Sequence, residues 1–160
     1  MIKKKYFVQW ADLDANWHLA NFSYLKYSTD SRMYFFNSIG FTKERLLKLL
    51  ISPIVFYEHI YYYKEMQLHD EFTIVNELDG YSEDGRFFRI LQNFYKNNNN
   101  NTRIEILAGI INLKTRKLSE FPEDIFNNLK KTRKSDSFKI IKKGDTRITG
   151  KLPKNLKWAC

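Results

Sequence analysis

From Lys5 to Trp10 the chain alternates, with Tyr6, Val8 and Trp10 on one face and Phe7 and Gln9 on the other. A period of two predicts a strand. Asp12 to Asn21 is polar and irregular and predicts a loop. From Phe22 to Ile39 the period becomes helical, with Tyr24, Leu25, Ser28, Met33, Phe35 and Phe36 near one broad side and Gly40 as the stop. Ser23, Ser28, Thr29 and Ser31 would let that helix pack closely on a sheet. A short helix over Lys43 to Leu50 follows, with Thr42 as its cap.

The remainder predicts β-structure. Ile54 to Lys64 is rich in aromatic and β-branched residues, and Glu71 to Leu78 alternates Phe72, Ile74 and Leu78 against Thr73, Val75 and Glu77. Glu83-Asp84-Gly85 signals a hairpin turn before a strand over Arg86 to Tyr95. The Asn97 to Asn101 run predicts a hairpin loop, and Arg103 to Leu113 the next strand. Pro122-Glu123-Asp124 opens a last helix. A strand, a loop, two helices and four consecutive strands within one core make an α+β domain.

Charge changes this picture only at one end. The net charge is +9, yet residues 1–126 hold 16 Lys/Arg and 16 Asp/Glu. Residues 127–160 hold 11 Lys/Arg against Asp136 and Asp145. A basic tail on a neutral body predicts a solvated extension over 129–160 or contacts to ligand phosphates. Because no whole face is basic, the charge argues against a nucleic-acid partner. The single cysteine, Cys160, fits a reducing compartment, and no apolar run reaches membrane-spanning length. A soluble cytoplasmic protein is expected.

Candidate chemistry concentrates in the predicted loop. Asp12-Leu13-Asp14-Ala15-Asn16 opens like a calcium loop, but Trp17 stands where glycine is needed and Ser23 where a bidentate glutamate is needed. His18, His59 and His69 lack zinc-site spacing, and neither a nucleophile elbow nor a glycine-rich phosphate loop occurs. No metal or cofactor is implied. What remains is two carboxylates, an imidazole and a carboxamide just before a buried helix.

That segment resembles the hotdog-fold thioesterase signature Asp-x-Asp-x-x-Gly-His-Val-Asn-Asn-x-x-Tyr, with Asp12, Asp14, His18, Asn21 and Tyr24 in register. Leu19 replaces valine, Trp17 the glycine and Ala20 the first asparagine. Val55-Phe56-Tyr57-Glu58-His59-Ile60-Tyr61-Tyr62 and Leu68-His69-Asp70-Glu71 resemble the family's second strand and the turn after it. The resemblance is to the 4-hydroxybenzoyl-CoA thioesterase type, and especially to bacterial acyl-CoA thioesterases. It implies a hotdog domain over residues 1–128, a long helix on a curved antiparallel five-stranded sheet. Two chains would pair their sheets, as a homodimer or homotetramer, with acyl-CoA bound at the interface.

The resemblance further implies Asp14 as nucleophile or general base, with His18 and Asn21 orienting the thioester or water. Asp12 is expected to brace the loop, and Asn21 has an alternative reading as the helix cap. Trp17 and Tyr24 are candidate substrate contacts, Tyr24 being also a candidate core residue. Glu58, in a strand with Phe56 and Ile60 on its own face, needs a partner or a task and is the second catalytic candidate. Arg86 and Arg89 are candidates for coenzyme A phosphates or solvated surface. Two rivals to hydrolysis are kept, a non-catalytic module that binds acyl-CoA or acyl carrier protein and a basic-tail adaptor.

Overall fold

The structure, a computed structural model, describes residues 2–146. Cys160 and the tail cations Arg147, Lys151, Lys154 and Lys157 lie outside the described residues.

Strand β1 (Ile2–Phe7) is followed by a single 3-10 turn (Trp10–Asp12) and then the long helix α1 (Asn21–Ser38). A short helix α2 (Lys43–Leu49) leads into four strands, β2 (Ile51–Tyr62), β3 (Glu71–Tyr81), β4 (Phe87–Lys96) and β5 (Asn99–Asn112). The two-residue β6 (Leu118–Ser119), α3 (Glu123–Lys130), β7 (Lys134–Ile140) and a 3-10 turn (Lys143–Thr146) follow among the described residues. The main sheet order is β1-β3-β4-β5-β2, antiparallel throughout, and β6 adds to β5. Strand β7 pairs in parallel with β3, so the sheet has seven strands, two more than expected.

Three expectations are corrected. Strand β1 begins earlier and ends at Phe7, because the Gln9 amide bonds the Asp12 carboxylate at 3.0 Å and turns the chain. Trp10 therefore leaves the Tyr6 and Val8 face and is 64% exposed. Asn97 and Asn98, with φ of 49° and 63°, form the turn alone, and Asn99–Asn101 already belong to β5. Finally, part of the basic tail is built into the sheet: Ser135 and Ser137 of β7 both donate to Asp79 of β3, which also pairs with Arg89.

Helix α1 buries Tyr24, Tyr27, Ser28, Ser31, Arg32, Phe35 and Phe36, while Leu25 and Met33 stay partly exposed. Its small residues allow a buried polar tie to the sheet. Ser28 donates to Gln92, Gln92 donates to Asn76 at 2.7 Å, and Asn76 donates to Ser31 at 2.8 Å. Satisfied in this way, the amides cost little to bury and fix the helix over β3 and β4. Around them, Phe35, Phe72, Phe88, Phe94, Ile90 and Ile106 are fully buried. Each such aromatic side chain contributes about 2–3 kcal/mol of burial. Gly40, at φ 83°, ends the helix where a side chain would be strained.

Strand β2 is the outer strand on its side, which is how Pro53 fits inside it. Val55, Phe56, Tyr61 and Tyr62 on it are each more than 40% exposed. A bulge between Val55 and Tyr57 shifts the register at Phe56. The candidate site lies at the opposite end of β2, where the loop before α1 meets the segment after Tyr62.

Candidate active site at the start of the long helix

The loop between β1 and α1 is folded by its own backbone. Leu13 bridges Leu19, the Asp14 amide donates to the His18 carbonyl at 2.9 Å, and Trp17 donates to the Asp14 carbonyl at 3.1 Å. Closing so small a loop requires Trp17 to take φ 65°, the left-handed region where the family signature carries glycine. Its indole lies 61% exposed, edge-to-face on Trp10 at 5.0 Å.

Asp12 lies under this loop and is 1% exposed. Its carboxylate accepts from Lys26 Nζ at 2.8 Å, the Tyr27 hydroxyl and the Gln9 amide, while its carbonyl accepts from Ser23 Oγ and the Ala20 amide. Burial alone would raise its pKa, but Lys26, Tyr27 and the Gln9 amide outweigh burial and hold the carboxyl below its ordinary value. Asp12 is the brace of the loop.

Asp14 sits on the exposed side. One carboxylate oxygen, Oδ1, accepts from the Asn16 amide at 2.8 Å and the His18 amide at 3.2 Å. The other, Oδ2, has no protein partner among the described residues. Asp14 opens onto a cleft of about 340 Å³ shared with His18, Leu19, Asn21, Tyr24, Tyr62, Tyr63, Lys64 and Glu65. Three elements build it: the loop, the first turn of α1, and the segment after β2. The amino end of α1 carries partial positive charge, which favours negative charge developing there.

The remaining site residues divide. His18 faces Glu65 across the cleft, with Nε2 3.7 Å from the carboxylate. Asn21 is the first residue of α1, Ala20 being the cap, and its Oδ1 accepts from the Phe22 amide. Tyr24 is 3% exposed, packed against Tyr62 and Phe94, yet it reaches the cleft wall. Burial, helped by Tyr62 and the charges of Asp14 and Glu65, raises its phenol pKa, so it stays protonated at neutral pH and can donate a hydrogen bond. Trp17 is absent from the cleft lining.

Glu58, Arg86 and Arg89 are not brought to this cleft. Glu58 has its partner, Arg32 of α1, at 2.6 Å, with the two side chains 23% and 11% exposed. That pair ties the helix to β2, and removing one member would leave a nearly buried charge uncompensated. Arg86 binds Glu120 at 3.1 Å and lines a separate cleft with Phe56 and Phe87. Arg89 is not a surface cation: its side chain is 13% exposed and committed to Asp79. The cation at the Asp14 cleft is Lys64, which has no carboxylate within ion-pair distance among the described residues. Neither Lys64 nor Glu65 lies in a motif, so spacing could not have found them; only the chain's return after β2 brings them in.

Residues 8–129 match the thioesterase-like superfamily, and the chain belongs to that superfamily. Its fold is shared with the hypothetical protein SAV2348 from Staphylococcus aureus, solved in complex with CoA (22% identity, 84% of this chain and 86% of that one, TM-score 0.77). It is shared also with Slr0204, a 1,4-dihydroxy-2-naphthoyl-CoA thioesterase from Synechocystis (11% identity, 81% and 96%, TM-score 0.72). The DHNA-CoA thioesterase from Staphylococcus aureus is a third (14% identity, 81% and 88%, TM-score 0.73). These likenesses establish the hotdog fold. No curated protein matches the chain. Among the described residues, no helix is long and apolar enough to cross a membrane.

Proposed function

We propose that this protein hydrolyses an acyl-CoA thioester to the free acid and CoA in the cytoplasm, with Asp14 as nucleophile or general base. The observation that carries this reading is Oδ2 of Asp14, a carboxylate oxygen without a partner among the described residues, on a carboxylate whose other oxygen accepts from two backbone amides. A nucleophile or base needs a free lone pair in a fixed place. The amino end of α1, beside it, would stabilise the oxyanion without reorganising. His18, Asn21 and the Tyr24 hydroxyl are positioned to orient thioester or water. CoA in the SAV2348 complex, and CoA thioesters in the names of the other two relatives, support the substrate class.

The exposed edge of β2 supports a homodimer built by pairing that strand with its copy, with the acyl group held between chains. Lys64, which lines the cleft without a carboxylate partner among the described residues, is one candidate for CoA phosphates, and the basic residues beyond Thr146 are a second. Cutting after Thr146 keeps β7; a rise in KM at constant kcat would assign those residues to phosphate binding.

The deciding experiment is thiol release from a panel of acyl-CoAs by wild type and Asp14→Asn. Turnover by the wild type, lost in folded Asp14→Asn, is the expected result. Acyl-CoA binding without turnover by the wild type would instead favour the non-catalytic module, for which the exposed Trp17 in place of glycine is the supporting observation. Binding to nucleic acid that disappears on cutting after Thr146 would favour the adaptor.

A further inference from the structure

We propose that Glu65 is a positioning residue of this site, acting through His18; the proposal rests on Asp14 being the reaction centre. The two side chains are brought together by backbone, not by chance rotamers. His18 bridges Gln67, and the Leu19 amide donates to the Met66 carbonyl at 2.7 Å, so residues 18–19 and 65–67 run as a short antiparallel pair. Glu65 stands two residues before the partner of His18, on the same face and diagonal to it, within reach of a long side chain.

The stem of Glu65 is fixed from the sheet. Asn101, only 4% exposed on β5, donates from Nδ2 to the Glu65 carbonyl at 3.3 Å, and its own carbonyl accepts the Tyr63 and Lys64 amides. Among the described residues, His18 is the only basic side chain within ion-pair distance of the Glu65 carboxylate, at 3.7 Å. That separation is longer than a hydrogen bond, so the carboxylate acts on the ring through its charge, which favours a proton on Nε2 over one on Nδ1. The charge biases the ring's orientation in the cleft that His18, Glu65 and Asp14 all line. The pair remains open to solvent, with side chains 36% and 60% exposed, so its contribution is to orientation rather than to folding.

The test is a double-mutant cycle on kcat with Glu65→Gln, His18→Ala and the double variant, each with its melting temperature. Glu65→Gln should lower kcat on the order of tenfold, leave KM within about twofold and leave the melting temperature unchanged. Glu65→Asp should recover part of the loss. The double variant should be no slower than His18→Ala alone, because Glu65 has nothing to position once the imidazole is gone. Wild-type kcat in Glu65→Gln, or losses that multiply in the double variant, would overturn the proposal. Asp14→Asn run alongside separates the two readings. If it stays active, the Asp14 reading falls while the cycle still reports the coupling. If it is dead and Glu65→Gln is unimpaired, only the role of Glu65 falls.

Discussion

Asp12 and Asp14 leave one loop two residues apart and end in opposite surroundings. Asp12 points beneath the loop, where an ammonium, a phenol and an amide occupy its carboxylate. Asp14 points out to the cleft, where two amides share one oxygen and the other is left over. Alternation alone would put residues two apart on one face; the pair parts because Asp12 closes the 3-10 turn while Asp14 opens the small loop to His18. A buried carboxylate with both oxygens engaged can hold a loop but is poorly placed to attack or take a proton. One that is fixed yet half-satisfied can do either. Composition makes the two residues equal, and only their partners separate them.

The comparison breaks most readily by removing each charge in turn. Asp14→Asn should lower kcat by about 10²–10⁴-fold, the usual worth of a general base, with the melting temperature nearly unmoved. Asp12→Asn should do the reverse. It removes a charge-assisted bond set from a buried position, costing about 2 kcal/mol, with the Lys26 share small because that side chain is 58% exposed. Its kcat should fall less than tenfold. If Asp12→Asn is the dead variant and Asp14→Asn the unstable one, the two assignments are interchanged.

Acid sharpens the same contrast. The Asp12 carboxyl titrates below its ordinary value in the fold, because Lys26, Tyr27 and the Gln9 amide outweigh burial. A depressed folded pKa contributes stability that is present above the unfolded value and is lost as pH falls through the folded one. The stability gap between wild type and Asp12→Asn should therefore be full at pH 6 and narrow below about pH 4. Denaturant unfolding of both proteins across that range checks it, and a gap constant with pH would mean that ionised Asp12 is not what stabilises the loop.

Much of this was legible in the residues because it rests on local rules. The helix stop at Gly40, the Thr42 cap and the alternation of Glu71 to Leu78 are read within a few positions, and all are found. The signature over Asp12 to Tyr24 located the loop, and Asp12, expected to brace it, is buried beneath it and bonded to Lys26, Tyr27 and the Gln9 amide. What local patterns miss is set by partners far along the chain. The face of α1 was legible only in part: Ser23, Ser28, Ser31, Tyr24, Phe35 and Phe36 are buried as expected, but Leu25 and Met33 stay exposed while Arg32 is buried by its bond to Glu58. Residues 134–140 carry few apolar side chains, so only Asp79 and the β3 edge reveal them as a strand. Lys64 and Glu65 join the cleft through Asn101, 36 residues beyond Glu65.

The smallest expected effect concerns Trp17, on the same loop. In the left-handed region its Cβ crowds the backbone by roughly 1–2 kcal/mol, a cost that glycine escapes. Its contact with Trp10 returns about 1 kcal/mol, so Trp17→Gly compared with the wild type mixes two opposed terms. Comparing Trp17→Gly with Trp17→Ala removes the mixture, because both variants lose the indole and only the alanine keeps a Cβ. At most exposed positions alanine is the more stable of the two. Here the order should invert, with Trp17→Gly ahead by about 1 kcal/mol in denaturant unfolding. Should alanine match or exceed glycine, residue 17 does not hold this turn. The amides of Asn16 and His18 would then lose the fixed frame from which they grip Asp14 and set it apart from Asp12.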